Sequence, residues 1–212
     1  MKKVENVRDE VLDLTVVIPA YNPDEKLSKR VSSLLERGFH DIIVVNDGSD
    51  EEYMKSFYEV ESNSTVIHCR KNRGRGRAIK IAFSFCGEHR KKSQGVIVVD
   101  YAYMYHPDDV YACGKALLAN DGHFILGCRN FQDNRMSLVS RLGNNIKKGV
   151  FRIFSGIKVS DAGVGVCAIG MSVLSEIMEI KGEHQEYERN ILLETKKLSL
   201  PITEVSIRML SA

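Results

Sequence analysis

Unbroken apolar runs and helix-spaced apolar positions alternate along the first half of the chain. Residues 14–19 (LTVVIP) form a β-branched run, the pattern of a strand covered on both faces. Residues 24–37 then place Leu27, Val31, Leu34 and Leu35 on one helical face. Residues 41–45 (DIIVV) predict a second buried strand, closed by the turn-forming Asn46-Asp47-Gly48-Ser49. A charged helix over 51–60, a short strand over 65–68, a helix opened by the Gly-rich segment 72–76 and a strand over 95–100 follow. Such a βαβαβαβ order predicts an α/β domain with a parallel sheet and crossover helices. Ligands on these sheets bind beyond the carboxyl ends of the strands. Three predicted strands end in polar punctuation, PAYN, NDGS and DYAY, and these ends are expected to converge on one site.

The second half is less regular. Strands are predicted over 124–128 and 202–209, a Gly-broken turn and strand over 161–168, and a helix over 186–196. Residues 138–157 read as a long basic amphipathic helix, with Arg141, Lys147, Lys148 and Arg152 beside Leu142, Ile146, Val150, Phe151 and Phe154. That pattern fits packing on the sheet or resting on anionic lipid. No repeat, linker or low-complexity tract divides the chain, so one domain over 1–212 is expected, with 1–13 as a lead-in.

Composition narrows the function classes. A net charge of +2 argues against a general nucleic-acid binder, so any basic feature must be local. One is present: Arg70, Lys71, Arg73, Arg75 and Arg77 surround the glycines of the 72–76 segment. Five scattered cysteines without a C-x-x-C pair predict reduced thiols. The charged N-terminus does not read as a signal peptide, and no run approaches the ~20 apolar residues of a membrane span. A cytoplasmic active face is expected, with peripheral contact to the inner face of the membrane.

The order PAYN, NDGS, NRGRG, an Ala-containing HP segment, SDAGVG, EYERNILLE and EVSIR resembles the family-2 inverting glycosyltransferases, from about Thr15 to Arg208. The nearest branch looks like the dolichol-phosphate or undecaprenyl-phosphate sugar synthases. The resemblance implies a GT-A-type, Rossmann-like fold, a UDP- or GDP-linked sugar donor and a lipid-phosphate or saccharide acceptor. It lays Pro19, Ala20, Tyr21 and Asn22 along the nucleobase and makes Asp47 the acceptor of a base N–H, with Gly48 letting backbone approach. It puts Asn72, Gly74, Arg75 and Gly76 in the N-x-G-x-G segment and matches Arg129 to a G-S-R arginine. Asp161 and Glu188 are the residues it implies for catalysis.

One motif departs from the pattern. Where that family reads Asp-x-Asp before His-Pro, the register counted from His106-Pro107 puts Tyr101-Ala102-Tyr103. Phenols are neutral near pH 7 and poor ligands for Mg²⁺ or Mn²⁺. If Tyr101 and Tyr103 point into the site, strand alternation sends Asp100 away; slipped by one, Asp100 enters and Ala102 takes the second position. No cofactor is expected from either register, beyond weak Mg²⁺ or Mn²⁺ binding. Val164 and Cys167 also replace the polar residues usual in the later motif. Three readings stand open: a transferase with weak or no metal dependence, a catalytically silent paralogue that binds a nucleotide sugar or a partner, and a nucleotidyltransferase. The last lacks its usual N-terminal Gly-rich signature.

Overall fold

The computed structural model describes residues 9–102, 105–129 and 165–208. Seven strands form one sheet in the order β3-β2-β1-β4-β6-β5-β7. They are β1 (Thr15–Ala20), β2 (Ile42–Asn46), β3 (Thr65–His68), β4 (Gly95–Val99), β5 (Phe124–Arg129), β6 (Val166–Gly170) and β7 (Ile202–Ile207). β6 runs antiparallel to both its neighbours, β4 and β5; every other pairing is parallel. The mostly parallel α/β sheet expected from the apolar runs is therefore present. The reversal at β6 was not expected, because an apolar run carries no mark of strand direction.

Helices cover both faces. On one lie α1 (Lys26–Arg37), α2 (Met54–Tyr58) and α4 (Pro107–Ala119), whose Leu27, Val31, Phe57, Val110 and Cys113 pack on Val16, Ile18, Ile42, Val44 and Ile97. On the other lie α3 (Arg75–His89), α5 (Leu174–Met178) and α6 (Glu186–Glu194), packed on Val17, Ile43, Val45, Val96 and Val98. The charged helix expected over 51–60 shortens to a 3₁₀ turn at Glu51–Tyr53 followed by α2. Phe57 is the one buried residue of α2, so little apolar surface holds the helix longer.

Chain order fixes where a ligand would sit. From β1 the chain adds β2 and β3 on one side, then crosses back to lay β4 on the other side of β1. The crevice at that reversal is bounded by the carboxyl ends of β1, β2 and β4. Pro19, Asp47 and Tyr101 thus stand at or just past the ends of three adjacent strands, as the punctuation predicted.

Candidate functional site

Asn22 joins the two turns at the ends of β1 and β2. Its N–H donates to Ser49 Oγ at 2.9 Å, its Nδ2 donates to Asp50 Oδ2 at 2.9 Å, and its Oδ1 accepts from the Asp50 N–H at 3.0 Å. It does so with φ 47°, a left-handed conformation in which Asn is enriched. Of the PAYN residues, Pro19 and Ala20 form the end of β1, and Tyr21 lies exposed above it. Asn22 is thus a clasp of the site as well as a candidate contact.

Asp47 is 3% exposed, and its carboxylate closes on the Gly-rich segment. Oδ1 accepts the Arg73 N–H at 3.0 Å and Oδ2 the Gly74 N–H at 2.8 Å. Gly48, at φ 68°, lets the Lys71 backbone pass where a Cβ would collide with it. Gly74, at φ 100°, lies equally close to the Glu183 carbonyl and His184. Gly76 packs in the first turn of α3 against Tyr187 of α6, and Asn72 is exposed at the crest of the loop. The NDGS and NRGRG motifs are thereby one structural unit.

Strand alternation decides the β4 end. Val96 and Val98 face α3, so Asp100 continues on that face and meets the start of α3. Asp100 Oδ2 lies 3.4 Å from Arg75 Nη1, while Oδ1 accepts the Ala102 N–H at 2.9 Å. Arg75 is gripped from the other side by Glu188, with Nε–Oε2 at 2.8 Å and Nη2–Oε1 at 3.2 Å. Burial alone would lower the Arg75 pKa, but Glu188 and Asp100 outweigh it and hold the guanidinium above its ordinary value. Tyr101 packs on the opposite layer and donates from its hydroxyl to the Tyr21 carbonyl at 3.2 Å. Burial, then Asp100, raises its pKa, so the phenol stays neutral.

Three of the singled-out residues take definite places in consequence. Asp100, rather than Tyr101, is the side chain that reaches the charged cluster, since β4 ends at Val99 and a turn follows. Arg75 of the N-x-G-x-G segment is held by Glu188 through Nε and Nη2, which leaves Nη1 as its remaining edge. Glu188, 6% exposed, has each oxygen on Arg75, which suits a positioning carboxylate better than a general base. Tyr103, Asp161, the side chain of Arg129 and the basic stretch 138–157 lie outside the described residues; the backbone of Arg129 ends β5, opposite Ile207.

The described residues at the β4 end offer few donors for a divalent ion. Among the described residues no three His, Cys, Asp or Glu side chains gather as a metal site. Asp100 is the carboxylate at the β4 end, and a guanidinium already stands beside it. What sequence reasoning missed is the pairing itself: Arg75 and Glu188 were both singled out, but 113 positions separate them and no local signal joins them.

A mostly parallel sheet with its loops converging at the β1/β4 reversal defines the class, a doubly wound α/β protein whose ligand site lies at that reversal. Residues 15–175 match Glycosyl transferase family 2, and the chain belongs to that family. It is 28% identical over 216 residues to an uncharacterized protein of Methanocaldococcus jannaschii, covering 98% of this chain and 86% of that one. It is 24% identical over 215 residues to a UDP-N-acetylglucosamine–dolichyl-phosphate N-acetylglucosaminyltransferase of Methanococcus voltae, covering 91% and 84%. Among solved structures, glucosyl-3-phosphoglycerate synthase of Mycobacterium tuberculosis, in complex with Mn²⁺, UDP and phosphoglyceric acid, superposes with a TM-score of 0.69. It is 18% identical and covers 92% of this chain and 68% of that one. This likeness shows the fold, GT-A.

Proposed function

We propose that the protein transfers a sugar from a nucleoside-diphosphate sugar to a lipid-phosphate acceptor, without a strong requirement for a divalent ion. The observation that carries the metal reading is the Arg75 guanidinium beside Asp100 at the end of β4. A cation is already fixed where the charge of a departing diphosphate has to be met, and a preorganised donor there lowers the barrier without reorganisation. Glu188 holds that guanidinium by two hydrogen bonds and leaves the Nη1 edge turned toward Asp100. Mg²⁺ or Mn²⁺, if bound, would supply further neutralisation of the same diphosphate, with Asp100 its candidate ligand among the described residues.

A phosphate acceptor is favoured on chemical grounds. Its oxygen is anionic near pH 7 and attacks without a base, whereas a saccharide hydroxyl needs its proton removed. Glu188, engaged by Arg75, is badly placed for that task. The dolichyl-phosphate transferase relative supports the same acceptor class. Donor contacts are assigned to Pro19, Ala20, Tyr21 and Asn22 along the base and to Asp47, Gly48, Asn72, Gly74, Gly76, Asp100 and Tyr101 around it, with Tyr103 and Arg129 completing the set. Asp161 is kept as a catalytic candidate. The basic stretch 138–157, with Arg141, Lys147, Lys148 and Arg152 beside Phe151 and Phe154, is assigned to peripheral contact with an anionic membrane.

The same closed cluster favours a second reading, a silent paralogue that binds donor without turnover, because Asp100 and Glu188 both rest on Arg75. Radiolabelled UDP- and GDP-sugars, incubated with polyprenyl-phosphate vesicles with and without EDTA, separate the two. Transfer to lipid that survives EDTA is the expected result. Transfer abolished by EDTA and restored by Mn²⁺ would overturn the metal reading, and binding without transfer would favour the silent paralogue. Transfer to added saccharides in place of lipid would overturn the acceptor. Sedimentation with anionic and neutral vesicles checks the membrane contact.

A further inference from the structure

The Gly-rich segment has a second side. Behind it, at the open edge of the sheet, a pocket of about 400 Å³ lies between β3 and α3. Ile67 of β3 and Ile81 of α3 give it apolar walls, and Arg70, Arg73 and Arg77 line it with Lys71 beside them. None of Pro19–Asn22, Asp100 or Tyr101 lines this pocket; it meets the donor crevice only at Asp47 and the loop above it.

Four basic residues there face one acid, Asp47. Among the described residues Arg70, Lys71, Arg73 and Arg77 make no ion pair with a carboxylate. Asp47, the acid in the lining, has each oxygen on a backbone N–H. Arg77 Nε is buried without a hydrogen-bond partner. A buried donor left unpaired is costly, and an arginine fork pairs best with a phosphate or carboxylate. Arg75, two residues earlier, shows the contrast, for Glu188 and Asp100 both pair with it.

We propose that this pocket is an anion site separate from the donor crevice, taking a phosphate monoester carried on a compact apolar or aromatic body. Arg77 and Arg73 receive the phosphate, and Ile67 and Ile81 flank the body. The volume falls within the range of small-molecule sites, whose linings are largely apolar with a few polar groups that fix orientation. A bare inorganic ion would leave the isoleucines wet, and an uncharged ring would leave Arg77 unpaired.

Calorimetry with phenyl phosphate, inorganic phosphate and phenol tests the proposal. Phenyl phosphate should bind about tenfold more tightly than inorganic phosphate, the gain from burying an aromatic ring after ordering costs. Arg77→Met should weaken it about tenfold, the scale of a charge-assisted hydrogen bond. Arg70→Ala, on the exposed rim where the fold is not at stake, should weaken it severalfold. Tyr21→Ala, in the donor crevice, should leave it unchanged. A second readout uses Cys69, half-buried in the lining while the other four thiols are buried. Its labelling by a small thiol reagent should slow when phenyl phosphate is present, and Cys69→Ser should remove that signal. Binding lost in Tyr21→Ala but kept in Arg77→Met and Arg70→Ala would overturn the proposal. So would no binding of phenyl phosphate at millimolar concentration, or unaltered Cys69 labelling.

Discussion

Two arginines two positions apart meet opposite fates. Arg75 turns toward the strand ends, where Glu188 and Asp100 close around it; Arg77, half a turn further along α3, has a buried Nε with no partner and lines a basic pocket. The first site holds its cation between two carboxylates, while among the described residues the cations of the second pair with none. Positive charge in a sequence therefore says little about anion binding until its partners are located. A guanidinium clamped by carboxylates positions other groups or presents one edge, while an unpaired one over an apolar wall still has binding energy to give.

The largest expected effect comes from opening the closed cluster. Arg75→Met leaves Glu188 as a buried carboxylate without its counter-charge, which typically costs about 3–5 kcal/mol. Urea unfolding should show that loss, and the Arg75→Met/Glu188→Met double variant should recover a large part of it. If the single variant is as stable as wild type, the cluster is not the buried ion pair described. In transferase assays Glu188→Gln should lower turnover with little change at the acceptor, since it loosens the guanidinium without removing it.

Next is Asp47→Ala, which frees the Arg73 and Gly74 N–H groups and unties the loop that separates the two sites. Stability should fall by about 1–3 kcal/mol, and nucleotide affinity should fall as well. Unchanged affinity for UDP, GDP and their sugars would remove Asp47 from the donor contacts.

A smaller effect lies in pH. Burial raises the thiols of Cys86 and Cys113 from the usual 9 to about 12. Below pH 9 both are protonated in folded and unfolded chains alike. Above it the unfolded chain releases protons that the folded one retains, so stability should decline from pH 9 toward pH 12. Urea midpoints from pH 8 to pH 10.5 should slide downward, and Cys113→Ala should flatten the slope. A rising midpoint would contradict the buried-thiol assignment. Cys69 at the open pocket, by contrast, should be the first thiol labelled in the native protein.

Tyr101→Phe removes one hydrogen bond to the Tyr21 carbonyl and should cost about 1 kcal/mol. Least of all, Arg70→Ala should alter stability by no more than about 0.5 kcal/mol, because the side chain is exposed and unpaired. Its effect belongs to ligand binding alone, which keeps the two regions separable by experiment.

Much of the framework was legible from local pattern. β-branched runs mark β1, β2 and β4, because strands buried on both faces need apolar residues at every position. Asn46-Asp47-Gly48-Ser49 and Asn72–Gly76 mark the turns of the candidate site, where Gly48 and Gly74 take left-handed or otherwise positive φ. The roles of Asp100 and Tyr101 were not legible. Motif counting from His106-Pro107 favoured the tyrosine, whereas the sheet parity set by Val96 and Val98 turns Asp100 toward α3.

Sequence alone determined the layers and the polar strand ends, because each follows from periodicity and turn chemistry within a few residues, and the order of its motifs carried the family resemblance. Only the tertiary structure decided the reversed direction of β6, the clamp of Glu188 on Arg75 and the free state of Arg77. Those depend on which side chains arrive from remote elements. Coulomb and hydrogen-bond energies act through space over a few ångströms, and chain separation carries no record of that distance.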